Sequence, residues 1–258
     1  MSNKKLTMDE KVRYSRHFLV PEIGFEGQCN LKKASILIAG AGGLGSASSL
    51  YLAAAGVGRI GIVDSDFVDL SNLQRQVIHS MNSIGQLKVN SALERLNSIN
   101  PTVHVDAINE RLNAGNVNRI ISDYTVVLDA TDNFETRYRL NQACVLQKKT
   151  FIYGAVYRFF GQISVFNALE GPCFQCAFRE TSINEQVTSK KEMGIVSPIP
   201  GVIGTLQAVE AIKWILNIGD PLIGKLLLFD GLNMSFQKIF LRKDSACPVC
   251  SSNGINNS

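Results

Sequence analysis

Between Ser35 and Ser46 the chain reads S-I-L-I-A-G-A-G-G-L-G-S, and this stretch decides the fold. Ser35 to Ala39 is a short apolar run rich in β-formers, the signature of a buried strand. It runs directly into Gly40-x-Gly42-x-x-Gly45, and an apolar helix-like segment, Ala47 to Ala55, follows. The glycines permit a tight turn and let backbone approach a phosphate closely. The start of the helix adds unpaired N–H groups and a partial positive charge. The pattern predicts a nucleotide-binding strand–turn–helix; NAD, FAD and ATP all fit it at this point.

Outward from that turn, Gly56 is placed as the residue just past the helix. Arg59 to Asp64 reads as a second strand, ending on an acidic side chain 19 residues past Gly45. That spacing suits a carboxylate that holds a ribose hydroxyl. A helix is predicted from about Gln86 to Ile99, stopped by Asn100-Pro101. Val103 to Ile108 alternates as a third strand, Val117 to Ile121 is helical by pattern, and Thr125 to Leu128 is a fourth strand ending in D-A-T-D-N. Glu135 to Gln147 reads as a helix and Phe151 to Val156 as a strand. Such β–α alternation predicts an α/β fold, Rossmann-like, with a mostly parallel sheet and helices on both faces. Beyond Arg158, strands at Gln162 to Phe166, Lys225 to Phe229 and Phe236 to Leu241 extend the sheet antiparallel or form a small second sheet. Pro200 begins a core helix that runs to Asn217.

The chain ends divide off. Residues 1–31 are expected to form an N-terminal helical arm, with Thr7 as N-cap, Glu10 three residues on, and Pro21 and Gly24 closing the segment. Residues 32–250 form a single domain, and 251–258 a flexible tail. Arg179 to Met193 has little apolar periodicity and reads as an exposed, mobile loop within a crossover at about 178–197.

Composition narrows the class. With 45% hydrophobic and 19% charged residues the chain reads as globular, and the net charge of +4 is spread along it, so nucleic acid is not an expected partner. No signal peptide is recognisable, and no run approaches the roughly twenty apolar residues of a membrane span, so a cytoplasmic location without membrane contact is expected. The cysteines then need a chemistry other than stable disulfides. Cys173-x-x-Cys176 and Cys247-x-x-Cys250 each present two thiolates from one turn, and together they close a tetrahedral shell, the form of a structural zinc site. Cys144 reads as a small core residue, and His17, His79 and His104 as ordinary surface or loop residues.

The polar segment from Asp66 to His79 places Asn72, Arg75 and Gln76 near the C-terminal edge of the sheet, where open α/β sheets bind ligands. Lys88 follows at the start of the next helix, and Asp132 lies just beyond the fourth strand. A triphosphate needs distributed positive charge, which Arg75 and Lys88 supply. A phosphate-bridging metal needs a carboxylate, which Asp132 supplies. NAD needs neither, so the set favours ATP with Mg²⁺.

With these motifs in order, the chain resembles the ThiF/MoeB/HesA family, bacterial relatives of ubiquitin-activating enzymes, from about Tyr14 to Cys250. The matching stretches are R-Y-S-R at Arg13 to Arg16, G-A-G-G-L-G, D-S-D at Asp64 to Asp66, S-N-L-Q-R-Q at Ser71 to Gln76, G-Q-x-K ending at Lys88, L-D-A-T-D-N, G-V-I-G-T-L-Q-A-V-E-A-I-K at Gly201 to Lys213, and the cysteine knuckles. The resemblance implies that Gly40, Gly42, Gly43 and Gly45 lie against the phosphates, that Asp64 holds the ribose, that Asn72, Arg75 and Lys88 lie around the triphosphate, and that Asp66 and Gln76 also belong to the nucleotide site. Asp132 would hold Mg²⁺. Arg16 would reach into a partner subunit's site, which implies a homodimer. The implied reaction is adenylation of the C-terminal Gly-Gly carboxylate of a ubiquitin-like sulfur carrier. R-Y-S-R, L-F-D-G and C-P-V-C lean toward a thiamine-pathway carrier. A molybdopterin-pathway carrier and a short peptide substrate are the alternatives.

One departure stands out. Many family members carry a cysteine in the crossover loop, and here the corresponding position is Lys190, read as a solvated surface lysine. No cysteine occurs between Cys176 and Cys247. A persulfide donor protein is therefore expected to attack the adenylate directly.

Overall fold

Along β1 (Ser35–Ala39), Ile36 and Ile38 pack into one hydrophobic cluster while Leu37 and Ala39 pack into another. A strand buried on both faces needs helices on both sides, and the rest of the chain supplies them. The computed structural model describes residues 6–179 and 194–251. The predicted crossover loop, with Lys190, falls mostly outside these residues, as does nearly all of the tail.

An arm of short helices, α1 (Met8–Arg13), α2 (Ser15–Phe18) and α3 (Gly24–Lys33), leads into β1. Thr7 caps α1 as expected: its hydroxyl accepts the Glu10 N–H, and Glu10 accepts the Thr7 N–H at 2.7 Å. Pro21 and Gly24 do not end the arm. Helix resumes at Gly24 and carries the arm to Lys33, past the expected limit at 31. Then come α4 (Gly43–Ala55), β2 (Arg59–Val63), α5 (Lys88–Ile99), β3 (His104–Ile108), α6 (Val117–Ser122), β4 (Val126–Asp129), α7 (Phe134–Leu146), β5 (Thr150–Tyr157), β6 (Phe160–Phe166), α8 (Phe174–Ala177), α9 (Pro198–Leu216), β7 (Lys225–Asp230) and β8 (Ser235–Phe240).

Among the described residues the strands all join one eight-stranded sheet in the order β3-β2-β1-β4-β5-β6-β7-β8. From β3 to β5 neighbours run parallel; β6, β7 and β8 extend the sheet antiparallel, which settles the choice left open by their sequence. Helices α4, α5 and α9 cover one face and α6, α7 and α8 the other. Strand order reverses between β1 and β4, so the crevice beyond their C-terminal ends is where this topology places a ligand.

Helix α4 starts at Gly43, four residues before the predicted Ala47. Gly43, Gly45 and Ser46 are weak helix formers, so the pattern hid the first turn. Inside α4 the hydroxyls of Ser46 and Ser49 donate to the carbonyls of Gly42 and Gly45, which lets serines be fully buried. Two glycines are required here. Gly40 has φ +105°, and a Cβ on Gly45 would lie 2.0 Å from the Gly40 carbonyl oxygen.

Helix α9 is long and apolar enough to cross a membrane by length and composition alone. Its Ile199, Ile203, Gln207, Ala208 and Ala211 are instead buried, and at Gly204 it lies so close to α4 that a Cβ would meet the Leu44 carbonyl oxygen at 2.4 Å. It is a core helix.

Candidate functional site

The glycine turn is tied to the ends of both strands that neighbour β1. The Gly40 N–H donates to the Val63 carbonyl at 2.9 Å, and the Ala41 N–H donates to the Asp64 carboxylate at 2.8 Å. The other Asp64 oxygen accepts the Asp66 N–H at 2.8 Å. On the far side, a Cβ on Gly40 would lie 2.6 Å from the Ala130 carbonyl oxygen, so the turn is in backbone contact with the segment after β4. At the end of the turn, α4 begins with the N–H groups of a helix's first turn, which have no acceptor within the helix. The result is an anion-receiving cradle between β1 and β4.

Its rim is the polar segment between β2 and α5. The Arg75 carbonyl oxygen would lie 3.3 Å from a Cβ on Gly43, and Gln76 packs beside Gly42. Arg75 is half-buried, and its guanidinium donates to the Ser71 carbonyl at 3.1 Å. The Gln76 side chain is buried with its Nε2 toward Gly42, and among the described residues its Oε1 has no hydrogen-bond partner, an orphaned acceptor that points to a ligand or water at this place. Lys88, the first residue of α5, is buried, and its Nζ meets the exposed Asp66 carboxylate at 2.9 Å. Asn72 ends a 3₁₀ turn, Leu70–Asn72, capped by Asp69. Asp132 is exposed in the turn between β4 and α7, where Asn133 caps α7 by accepting the Thr136 N–H at 2.9 Å.

The predicted nucleotide residues therefore converge on one crevice. Arg16 does not join them: it is exposed on α2 and makes no hydrogen bond or ion pair among the described residues. The arm that carries it is anchored elsewhere on its own subunit, with Tyr14 buried and Arg13 donating to the Ile99 carbonyl at 2.8 Å.

Of the histidines read as surface or loop residues, His79 does lie in a loop but is not at the surface. It is buried beneath the glycine turn, with Nε2 3.0 Å from the Ala41 carbonyl and Nδ1 2.9 Å from the Ser91 hydroxyl. The two apolar residues before it, Val77 and Ile78, were the available signal, but a short loop has no periodicity to show which side faces inward. Burial disfavours the imidazolium, and with Lys88 nearby it holds the His79 pKa below its ordinary value, against the Ala41 carbonyl and Asp64. As pH falls, the unfolded chain takes up this proton first. The stability tied to neutral His79 is thus present above about pH 6.5 and lost below it. The thermal midpoint should fall between about pH 7.5 and about pH 5.5, and His79→Gln, which keeps a donor for Ala41 without titrating, should flatten the fall.

A second centre lies at the far end of β6. The Sγ atoms of Cys173, Cys176, Cys247 and Cys250 all fall within 4.8 Å of one another, and no disulfide links them. Sulfur pairs stand at 3.9, 3.7 and 3.4 Å. A tetrahedral Zn–S₄ site has sulfur–sulfur edges of about 3.8 Å, given Zn–S bonds near 2.3 Å. The residues fit zinc. Around them, Asn141 is oriented by accepting the Phe174 N–H at 2.8 Å while its Nδ2 faces Cys173 at 3.7 Å. The Asp244 N–H donates to Cys176 at 3.4 Å. Cys144 is buried, as expected of a core residue.

Comparison with known proteins follows the same lines. The ThiF family profile matches residues 14–249. The chain is 47% identical over 250 residues to the adenylyltransferase and sulfurtransferase MOCS3 of Culex quinquefasciatus, covering 96% of this chain and 57% of that one. It is 45% identical over 249 residues to the sulfur carrier protein adenylyltransferase of Thermus thermophilus, covering 95% and 92%. Among solved structures, E. coli MccB with ATP superposes with a TM-score of 0.83 at 23% identity, over 97% of this chain and 77% of that one, and so shares its fold.

Proposed function

The chain belongs to the ThiF family, and from that premise we propose that it is an ATP-dependent adenylyltransferase acting on the C-terminal carboxylate of a ubiquitin-like sulfur carrier. The observation that carries this reading is the convergence of a glycine turn, a buried Lys88, the half-buried Arg75 and the exposed Asp132 on the crevice between β1 and β4. The carrier enters from the relative in Thermus thermophilus, which is named for it and spans nearly the same length.

In the proposed reaction a carboxylate oxygen of the carrier attacks the α-phosphorus of ATP. The bond from that phosphorus to the bridging oxygen breaks, and pyrophosphate leaves. The adenine ribose lies toward Asp64 and the phosphates lie over the turn and the start of α4. Lys88 exchanges its Asp66 partner for phosphate oxygens, and Arg75 and Asn72 face the same charge. Held positive groups stabilise charge that builds on the phosphates, and they do so more strongly where water is excluded, as around buried Lys88. A single exposed carboxylate such as Asp132, acting with phosphate oxygens, fits Mg²⁺, which keeps most of its waters. Mg²⁺ there would neutralise the departing pyrophosphate. Zinc, held by the four cysteines, would clip the C-terminal segment to α8 and take no part in chemistry.

Three further parts belong to this proposal. Arg16, exposed on α2, completes the site of a second copy in a homodimer. The lack of a cysteine between Cys176 and Cys247 leaves sulfur delivery to a persulfide donor. The carrier docks on the exposed edge at β8, where Phe236, Ile239 and Phe240 are exposed along the strand and Leu232 and Met234 in the turn before it. An apolar strand that is the edge of the sheet among the described residues suits addition of a small β-rich protein. Phe240→Glu should raise the carrier KM by about tenfold, the effect of about 1.4 kcal/mol of lost contact, and leave the KM for ATP unchanged.

ATP–pyrophosphate exchange tests the reading. Exchange stimulated by a carrier ending in Gly-Gly, of the thiamine or the molybdopterin type, supports it, and the faster of the two identifies the carrier. Exchange with a short peptide and with neither carrier overturns it.

A further inference from the structure

Asp129 and Arg137 form a buried ion pair that the adenylation chemistry as described does not use. Asp129, the last residue of β4, is fully buried, and Arg137 lies one turn into α7 with its side chain 8% exposed. The Arg137 Nε donates to Asp129 Oδ2 at 3.0 Å, and its Nη2 donates to the Thr131 carbonyl at 2.8 Å. The other Asp129 oxygen accepts both the N–H and the hydroxyl of Thr131, at 2.9 and 2.6 Å. The guanidinium is held between the rings of Phe134 and Tyr153, at 5.3 and 5.2 Å from their centroids. From α9, the Gln207 amide donates to the Asp129 carbonyl at 2.7 Å and to the Ile152 carbonyl at 3.2 Å, bridging β4 and β5 at the end of their pairing, where Leu128 pairs with Ile152.

These bonds leave the turn from Asp129 to Asn133 little freedom: its start is fixed by Gln207 and Arg137, its middle by Thr131, and its end by the Asn133 cap on α7. Asp132 is the exposed residue inside that frame. Buried ion pairs contribute little net stability compared with apolar residues of similar volume, so a fixed geometry is the function such a pair serves best. Burial opposes the charge on Arg137, yet Asp129, Tyr153 and Asp132 together raise its pKa, so the guanidinium stays charged.

We propose that Arg137 is a positioning residue, which acts through Asp129 and the Thr131 carbonyl to hold the Asp132 carboxylate where the nucleotide's metal is bound. The inference rests on the reading of Asp132 as the metal-holding carboxylate. Lysine at 137 keeps the charge but lacks the rigid planar fork by which Arg137 spans the Asp129 carboxylate and the Thr131 carbonyl. A double variant, Asp129→Leu with Arg137→Met, removes the pair without leaving a buried charge.

The experiment measures ATP–pyrophosphate exchange against Mg²⁺ and ATP, with thermal unfolding and zinc content as checks of folding, for Arg137→Lys, the double variant and Asp132→Ala. Misplacing a reacting group slightly costs on the order of 10²-fold in rate, and losing a ligand's support costs about 10–100-fold in metal affinity. Both folded variants should therefore lose about 10–100-fold in kcat and need about tenfold more Mg²⁺ for half-maximal rate, with the ATP KM within about threefold of the parent. A purely structural pair would lower the unfolding midpoint and leave the Mg²⁺ requirement alone. A folded variant with parental kcat and Mg²⁺ dependence, beside an inactive Asp132→Ala, overturns the inference alone. Full activity in Asp132→Ala overturns the reading of Asp132, and the inference with it.

Discussion

Asp132→Ala should reduce carrier-dependent ATP–pyrophosphate exchange by about 10²–10³-fold, or about 3–4 kcal/mol, the cost of removing one preorganised electrostatic contact at a reacting centre. The side chain is exposed in a turn whose shape is set by Asp129, Thr131 and Asn133, so its removal should leave the fold intact. The loss should fall on kcat, because the charge that Asp132 and a metal held there would balance appears as pyrophosphate departs. Unchanged exchange with unchanged unfolding would remove Asp132 from the mechanism. Lys88→Ala offers a contrast. It deletes a buried cation that meets phosphate in ground and transition states alike, so it should raise the ATP KM as well, and it leaves Asp66 without its ion-pair partner.

The second large effect concerns the cysteine cluster. Cys250→Ser, or zinc removal by a chelator, should lower the thermal midpoint by roughly 6–12 °C, since about 3 kcal/mol is at stake and each kcal/mol moves a domain of this size by about 2–4 °C. Complete unfolding, as in zinc fingers, is not expected. Strands β7 and β8, which lie between the two knuckles, are already paired into the sheet through β6. Zinc held there would clip the segment from Cys247 to Cys250 onto α8 and add to a core that stands without it. Metal analysis should give one zinc per chain in the parent. A parent without zinc whose midpoint is indifferent to chelation would contradict the assignment.

Much of this architecture was legible in residue order because its signals are local. A strand, a glycine turn and a helix in immediate succession leave little else for residues 35–55 to be, and two CxxC knuckles declare a tetrahedral shell wherever the fold brings them. Lys88 was legible as lying at the start of a helix near the sheet's C-terminal edge, although the pattern began that helix at about Gln86 and it begins at Lys88 itself. What escaped is tertiary. His79 sits in a short loop whose inward side no periodicity marks, and only packing against Ala41 and Ser91 reveals it. Asp129 and Arg137 are eight residues apart across a strand end, a turn and a helix start, a separation no helical or strand spacing flags. Gln207 reads as one polar residue on an apolar helix, and its bond to Asp129 spans 78 residues. Arg16 is a different case: its proposed place lies on another subunit, so nothing in a single chain brings it to the crevice.

The central claim is that this chain joins an adenylyl group to a carrier's terminal glycine. Intact-mass analysis of a Gly-Gly-ending carrier, after incubation with the protein, ATP and Mg²⁺, tests it most directly. The account predicts a carrier heavier by one adenylyl group, with pyrophosphate released, and no such species with Asp132→Ala or with a carrier lacking its last glycine. A carrier of unchanged mass while ATP is consumed would contradict it.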